Sequence, residues 1–152
     1  MTAQRRVHAK PLSFRQARAS GELHLRASTR RSLGRGAVAK GDPFPVAEVA
    51  GLLAMKRTHE LIPHCHPIPL TGAEVRVTRT ARGVRAVATA EALYRTGVEM
   101  EALVGVSVAL LTVWDMVKYL EKDGDGQYPR TRMEAVRVVE KRKEPRTERA
   151  RR

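Results

Sequence analysis

The stretch TGVEMEALVGVSVALLTVWDMVKYLEK, Thr96 to Lys122, decides how the rest of the chain is arranged. No charged residue stands between Glu101 and Asp115, and the run is dense in Val, Leu and Ala. It is too long for an ordinary strand and short of the roughly 18 uninterrupted apolar residues expected of a membrane span. The spacing predicts a helix. At about 100° per residue, Glu101, Val104, Val108, Leu111, Asp115, Lys118 and Lys122 share one stripe, with ionisable groups at both ends of an apolar seam. The other faces, with Leu103, Val106, Leu110, Val113 and Val117, are apolar too, and a helix apolar all round is buried on all sides. A chain of 152 residues can barely surround such a rod alone, so a second subunit is expected to cover part of it.

Working outward, residues 1–14 show no periodicity and read as an extended arm. Gly21 to Arg26 alternates briefly as a strand. A short polar helix begins at Ser28 and stops at Gly34 and Gly36. Asp42 is a plausible N-cap for a helix running to about Ile62, with Val46, Val49, Ala50, Leu53 and Met55 as its apolar face and Pro63 as its end. PHCHPIPL, from Pro63, carries three prolines and is extended and stiff. AEVRVTRT and VRAVATAEALYRT flank a tight turn at Ala81–Gly83 and form a hairpin. After the long helix, DGDGQYP is a loop and RMEAVRVVEKR a last strand. The order β-α-α-β-β-α-β predicts an α+β sandwich, its mainly antiparallel sheet packed against helices, with residues 1–140 as one domain.

The charge is unevenly spread. Lys and Arg total 29 against 16 acids, a net of +13. Residues 1–40 carry ten basic side chains against one acid, and residues 141–152 carry seven against two, whereas the middle is close to neutral. Basic ends can bind nucleic acid, attract a phosphorylated small molecule, or stay solvated. Nothing apolar anchors residues 141–152, which read as a disordered tail. With two Phe, three Tyr and one Trp, stacking platforms are scarce, which argues against nucleic acid as the partner. One cysteine, Cys65, excludes an internal disulfide framework and fits a reducing cytoplasm, and no leader or membrane segment is expected.

Several residues are chemically notable. Asp115 and Lys118 stand one helical turn apart among Trp114, Met116 and Val117. They are either a surface ion pair or, with desolvation expected from those apolar neighbours, a proton-transferring pair in which the aspartate orients the lysine. Glu99 and Glu101 sit where the helix dipole favours acids, and Glu101 shares the stripe of Asp115. His64, Cys65 and His66 are fixed on a proline-stiffened backbone, suited to a binding wall or simply to packing. Their spacing, even with His59, matches no standard zinc pattern, so no metal is expected. Lys40 precedes Gly41-Asp42 near a helix start, and Lys56 lies near the end of that helix, where a lysine is also ordinary dipole compensation. Dinucleotide, P-loop and nucleophile-elbow patterns are absent.

KGD (Lys40–Asp42), AGLLAMKRTHELIPHCHPIPL (Ala50–Leu70), TGVEMEAL (Thr96–Leu103) and LTVWDMVKYLEKD (Leu111–Asp123) occur in this order. Together they closely resemble the MoaC family, the cyclic pyranopterin monophosphate synthases of molybdenum cofactor biosynthesis. The likeness covers about residues 10–140, and the DGDGQYP ending is similar to the archaeal branch. The resemblance implies a ferredoxin-like fold and a homohexamer, a trimer of dimers, with pockets between subunits. It implies a substrate, 3′,8-cyclo-7,8-dihydroguanosine 5′-triphosphate, converted to cyclic pyranopterin monophosphate with loss of pyrophosphate and without a cofactor. The family's catalytic groups fall on Asp115, Lys118 and Lys40. Its substrate contacts fall on His64, Cys65, His66, Met100, Glu101, Lys56 and Arg15. Two departures stand out. RRVHAKP replaces the family's Met-Val-Asp word ahead of Arg15, and His64 stands where leucine is common. The rival expectations are a nucleic-acid-binding module built on the charged ends and a catalytically idle structural homologue.

Overall fold

Eight elements run along the chain in a computed structural model that describes residues 2–145. They are β1 (Ser13–His24), α1 (Ala27–Gly34), α2 (Pro43–Lys56), α3 (Thr58–Leu61), β2 (Gly72–Arg79), β3 (Gly83–Tyr94), α4 (Glu99–Glu121) and β4 (Arg132–Pro145). The four strands form one antiparallel sheet in the order β2-β3-β1-β4. Each long crossover therefore skips a strand: α1–α3 carry β1 past β3 to β2, and α4 carries β3 past β1 to β4. This is the interleaved βαβ arrangement of ferredoxin-like α+β folds.

The sheet's inner face is built from very small side chains. Ala17 and Ala19 of β1 face Ala90 and Ala88 of β3 across the register, and all four are buried. Ala86 and Ala92 extend the row, with Val75 and Val77 from β2 beside it. Such a shallow surface lets α4 lie close against the strands. Val106, Ala109, Leu110, Val113 and Val117 fill the layer between them and are fully enclosed. By length and composition α4 is long and apolar enough to cross a bilayer, but here it is the central rod of the core.

The face that α2 turns inward differs from the sequence expectation. Val46, Val49 and Leu53, expected to pack, are about half exposed at 49%, 57% and 51%; Pro43, Ala47, Gly51, Ala54 and Met55 are the buried residues, and of these only Met55 was expected. Small side chains win because the two helices nearly touch. A β-carbon placed on Gly51 would lie 2.8 Å from the carbonyl oxygen of Gly105. The apolar stripe that pattern reading assigns to the core is left outside.

Other boundaries also move. β1 begins at Ser13, not Gly21, and residues 2–12 precede it as an arm held by the Arg95 guanidinium, which donates to the carbonyls of His8 and Lys10. The helix expected to reach Ile62 breaks at Arg57 into α2 and α3. Asp42 does cap α2, its carboxylate accepting from the Phe44 N–H at 3.1 Å, with Pro43 in the first turn. β4 continues to Pro145, so residues 141–145 are strand rather than tail. The remainder of the expected tail, residues 146–152, lies outside the described residues.

One buried carboxylate ties three elements together. Glu121, at the end of α4 and 1% exposed, accepts from the Arg26 N–H at 3.1 Å and 3.2 Å and from the Thr131 hydroxyl. It thus joins the start of α1 and the approach to β4 to the central rod. Glu121→Gln keeps the shape but removes the charge from these bonds. A loss of about 1.5 kcal/mol is expected, seen as a fall of about 3–6 °C in the thermal midpoint.

Candidate active site

Asp115 lies on the exposed side of α4 between two lysines. Its Oδ1 is 2.7 Å from Lys118 Nζ, one turn along the same helix, and its Oδ2 is 3.0 Å from Lys40 Nζ. Lys40 also donates to the Asp115 carbonyl oxygen at 3.1 Å. Lys40 arrives from a loop 75 positions earlier, so a tertiary contact completes the cluster. That loop is held by local chemistry. Gly41 turns the chain with φ of +90°, a region that side-chain-bearing residues avoid. The Ala39 N–H donates to the Tyr119 hydroxyl at 2.7 Å, anchoring the residue next to Lys40 on α4. Edge-on packing of Trp114 against Tyr128, with ring centres 5.8 Å apart, closes the following loop over the same end of the helix.

Two ammonium groups facing one carboxylate set its electrostatics. The hydrogen bonds from Lys118 and then Lys40 hold the Asp115 carboxyl below its usual range, while Asp115 raises the Lys118 ammonium. The expected desolvation is not provided by this chain. Lys40, Asp115 and Lys118 side chains are 46%, 56% and 47% exposed, because Met116 and Val117 turn inward to the core.

The remaining candidates gather at the other end of α4. Glu101 is 3% exposed, and burial, with help from Glu99, pushes its carboxyl upward. Glu101 in turn acts on Cys65, whose thiol is raised first by burial and then by that charge. His66 and Cys65 are half-buried, and His64, Met100 and Lys56 are exposed. Gln4 of the arm donates to the backbone carbonyls of Cys65 and His64 at 2.8 Å and 3.3 Å, pinning the proline-rich segment from the N-terminal side. Arg15 is half-buried, with its Nε enclosed and lacking a hydrogen-bond partner among the described residues. It lies near enough to Glu99 to act on it. Burial pushes the Glu99 carboxyl up, but Lys141, in direct contact, and Arg15 outweigh this and leave it lowered.

These two groups are not one pocket within a chain. Glu101 and Asp115 share a stripe, yet 14 positions at about 1.5 Å per residue separate them by about 21 Å. Sharing a helical face established direction and not proximity. Gln4 and Tyr119 were missed by sequence reading. Tyr119 carried a usable signal, a polar-tipped ring one turn beyond Asp115, whereas nothing local singled out Gln4.

The buried Glu101 carboxyl gives a pH-dependent expectation. Its folded value lies above its unfolded one, so its burial costs nothing below about pH 4.3 and progressively more as pH rises through the folded value. Glu101→Gln should therefore melt higher than wild type at pH 7–8 by a few degrees, and the gap should close towards pH 4. A constant gap across that range in thermal melts would show that this group is ionised and compensated in the fold.

Fold and site together define an α+β protein in which two lysines flank one carboxylate, Asp115 and Lys118 from the central helix and Lys40 from a loop. The MoaC family pattern matches residues 5–144. A probable cyclic pyranopterin monophosphate synthase of Pyrococcus abyssi is 53% identical over 132 residues, 87% of this chain and 83% of its own length. Proteins of the same name from Thermococcus kodakarensis and Sulfolobus acidocaldarius are 52% and 48% identical, each over 135 residues, covering 89% of this chain and 86% and 94% of their own lengths. The chain belongs to the MoaC family and is, with it, an enzyme.

Proposed function

We propose that this protein is a cyclic pyranopterin monophosphate synthase of molybdenum cofactor biosynthesis. It takes 3′,8-cyclo-7,8-dihydroguanosine 5′-triphosphate to cyclic pyranopterin monophosphate and releases pyrophosphate. The observation that carries this reading is the Lys40–Asp115–Lys118 cluster, at contacts of 3.0 Å and 2.7 Å. Opening a guanine-derived ring, rebuilding a pterin and closing a cyclic phosphate are proton and phosphoryl transfers on a polyanion. They need amines that give and take protons and cations that neutralise phosphate oxygens. Lys118 and Lys40 supply both, and Asp115 fixes the direction of their Nζ groups.

The substrate-binding set is Arg15, Lys56, His64, Cys65, His66, Met100 and Glu101, and the separation along α4 has a structural consequence. For these groups to meet the lysine cluster, they must come from a neighbouring copy of the chain. The exposed Val46, Val49 and Leu53 of α2 and Leu111 of α4 are apolar surface for such a contact, and the assembly we infer is a hexamer of three dimers. A neighbour would also supply the missing desolvation around Asp115.

Incubating the purified protein with the cyclised triphosphate and detecting cyclic pyranopterin monophosphate with equimolar pyrophosphate is the direct test. No product from well-folded, oligomeric protein would remove the assignment.

A further inference from the structure

The outer face of the sheet, turned away from α4, carries a separate concentration of ligating groups. Glu22 and His24 alternate onto this face on either side of the buried Leu23, and Glu134 is the register partner of Glu22 across β1 and β4. His24 is 7% exposed, and its enclosed Nε2 has no hydrogen-bond partner among the described residues. Glu134 Oε1 lies 2.6 Å from that nitrogen without the alignment of a hydrogen bond, and Glu22 Oε2 lies 3.9 Å away. All three ligating atoms fall within 4.8 Å of one another.

The surrounding arginines sharpen the geometry. Arg85 takes the other oxygen of Glu22 at 2.6 Å, and Arg132 takes the other oxygen of Glu134 at 2.9 Å. Each carboxylate is thus steered by a guanidinium on its far oxygen while the near oxygen points at the imidazole. Arg82 approaches the near oxygen of Glu22 only to 3.8 Å and is 67% exposed. The ring nitrogen and the near oxygens of both carboxylates thus converge on one point, all within 4.8 Å of one another, an arrangement that a cation placed among them would satisfy.

We propose that Glu22, His24 and Glu134 bind one divalent transition-metal ion of the zinc class. With metal–ligand lengths of about 2.1 Å, tetrahedral donors stand about 3.4 Å apart. The observed 2.6 Å and 3.9 Å bracket that separation. Glu134, a third exposed at 33%, has room to adjust. One imidazole and two carboxylates form a nitrogen–oxygen donor set, the fourth position is left to water, and Arg85 and Arg132 act as the outer groups that orient ligands. The ion clips the edge strand β4 to the central strand β1, on the sheet face opposite the lysine cluster. Its role is therefore to secure the sheet and not to take part in turnover. Sequence spacing does not announce this set, because Glu134 is 110 positions from His24 and only the strand pairing brings them together.

The test is calorimetric titration of chelator-treated, full-length protein with zinc chloride. One ion per chain is expected, with a rise in thermal midpoint. Glu134→Gln and His24→Gln should each weaken binding at least about 10-fold, and cobalt substitution should give a visible spectrum without a thiolate band. A Cys65→Ser/His66→Ala protein should bind zinc as wild type does. Absence of stoichiometric binding overturns the proposal. So does binding unchanged in Glu134→Gln, or zinc lost only in the Cys65→Ser/His66→Ala protein, which would put the ion on the proline-rich segment.

Discussion

Lys118→Ala is expected to lose turnover by at least about 100-fold, the usual contribution of a positioned acid–base group, with assembly and thermal midpoint unchanged. The side chain is 47% exposed and its ion pair with Asp115 is a surface contact, so folding has little stake in it. Lys118→Arg separates two roles. Arginine keeps the positive charge but does not give up a proton near neutrality. If the arginine variant is as dead as the alanine variant, proton transfer is the function; if it is active, phosphate neutralisation is. Mixing Lys118→Ala with His66→Ala protein, after dissociation and reassembly, tests whether the two ends of α4 meet across copies. Partial recovery of activity is expected, because some mixed interfaces then hold one intact set. Wild-type rates in pure Lys118→Ala would take this lysine out of the reaction altogether.

A large effect on stability is expected at Gly51. An exposed mid-helix glycine usually gains up to about 1 kcal/mol on replacement by alanine. Here the new methyl would stand 2.8 Å from the Gly105 carbonyl oxygen, 3.2 Å from Val75 Cγ1 and 3.3 Å from Ala109 Cβ. A backbone oxygen does not swing aside as a side chain does, so α2 and α4 must part along their whole contact. Overpacking of this kind costs about 1–3 kcal/mol and outweighs the propensity gain. Gly51→Ala should therefore lower the thermal midpoint, and Gly51→Val, wider and β-branched, should lose about 4 kcal/mol, a fall of about 8–16 °C. The sign of the alanine result is the sharper measurement. A rise in midpoint would mean that the helices are not in contact there.

The same contact shows where pattern reading reached its limit. The helix at Glu99–Glu121, the hairpin of β2 and β3 and the Asp42 cap were legible, because each follows from local periodicity or a local hydrogen bond. The inward face of α2 was not. Alanine and glycine carry almost no hydrophobic signal, yet they pack wherever backbones approach most closely. The start of β1 was hidden for the same reason, since Ala17, Ala19 and Gly21 alternate with Gln16, Arg18 and Ser20 at little contrast. In the candidate site, the pairing of Asp115 with Lys118 was readable from one helical turn. Lys40 joined them through resemblance alone, since nothing local announces a partner 75 positions away. Desolvation of the pair was misjudged because sequence neighbours of a helical residue mostly point elsewhere.

Asp115 and Lys118 ride on a rod enclosed by the sheet and α2, whereas Lys40 reaches them from an exposed turn fixed mainly by Gly41 and the Tyr119 hydroxyl. Amide hydrogen exchange should be slowest along α4 and far faster around Ala39 to Gly41, since an exposed turn can open without the rest of the molecule. On warming, the hook should let go before the rod does. Catalytic competence would then fade while circular dichroism still registers an intact fold, and the upper working temperature of the enzyme would be set by three residues of loop.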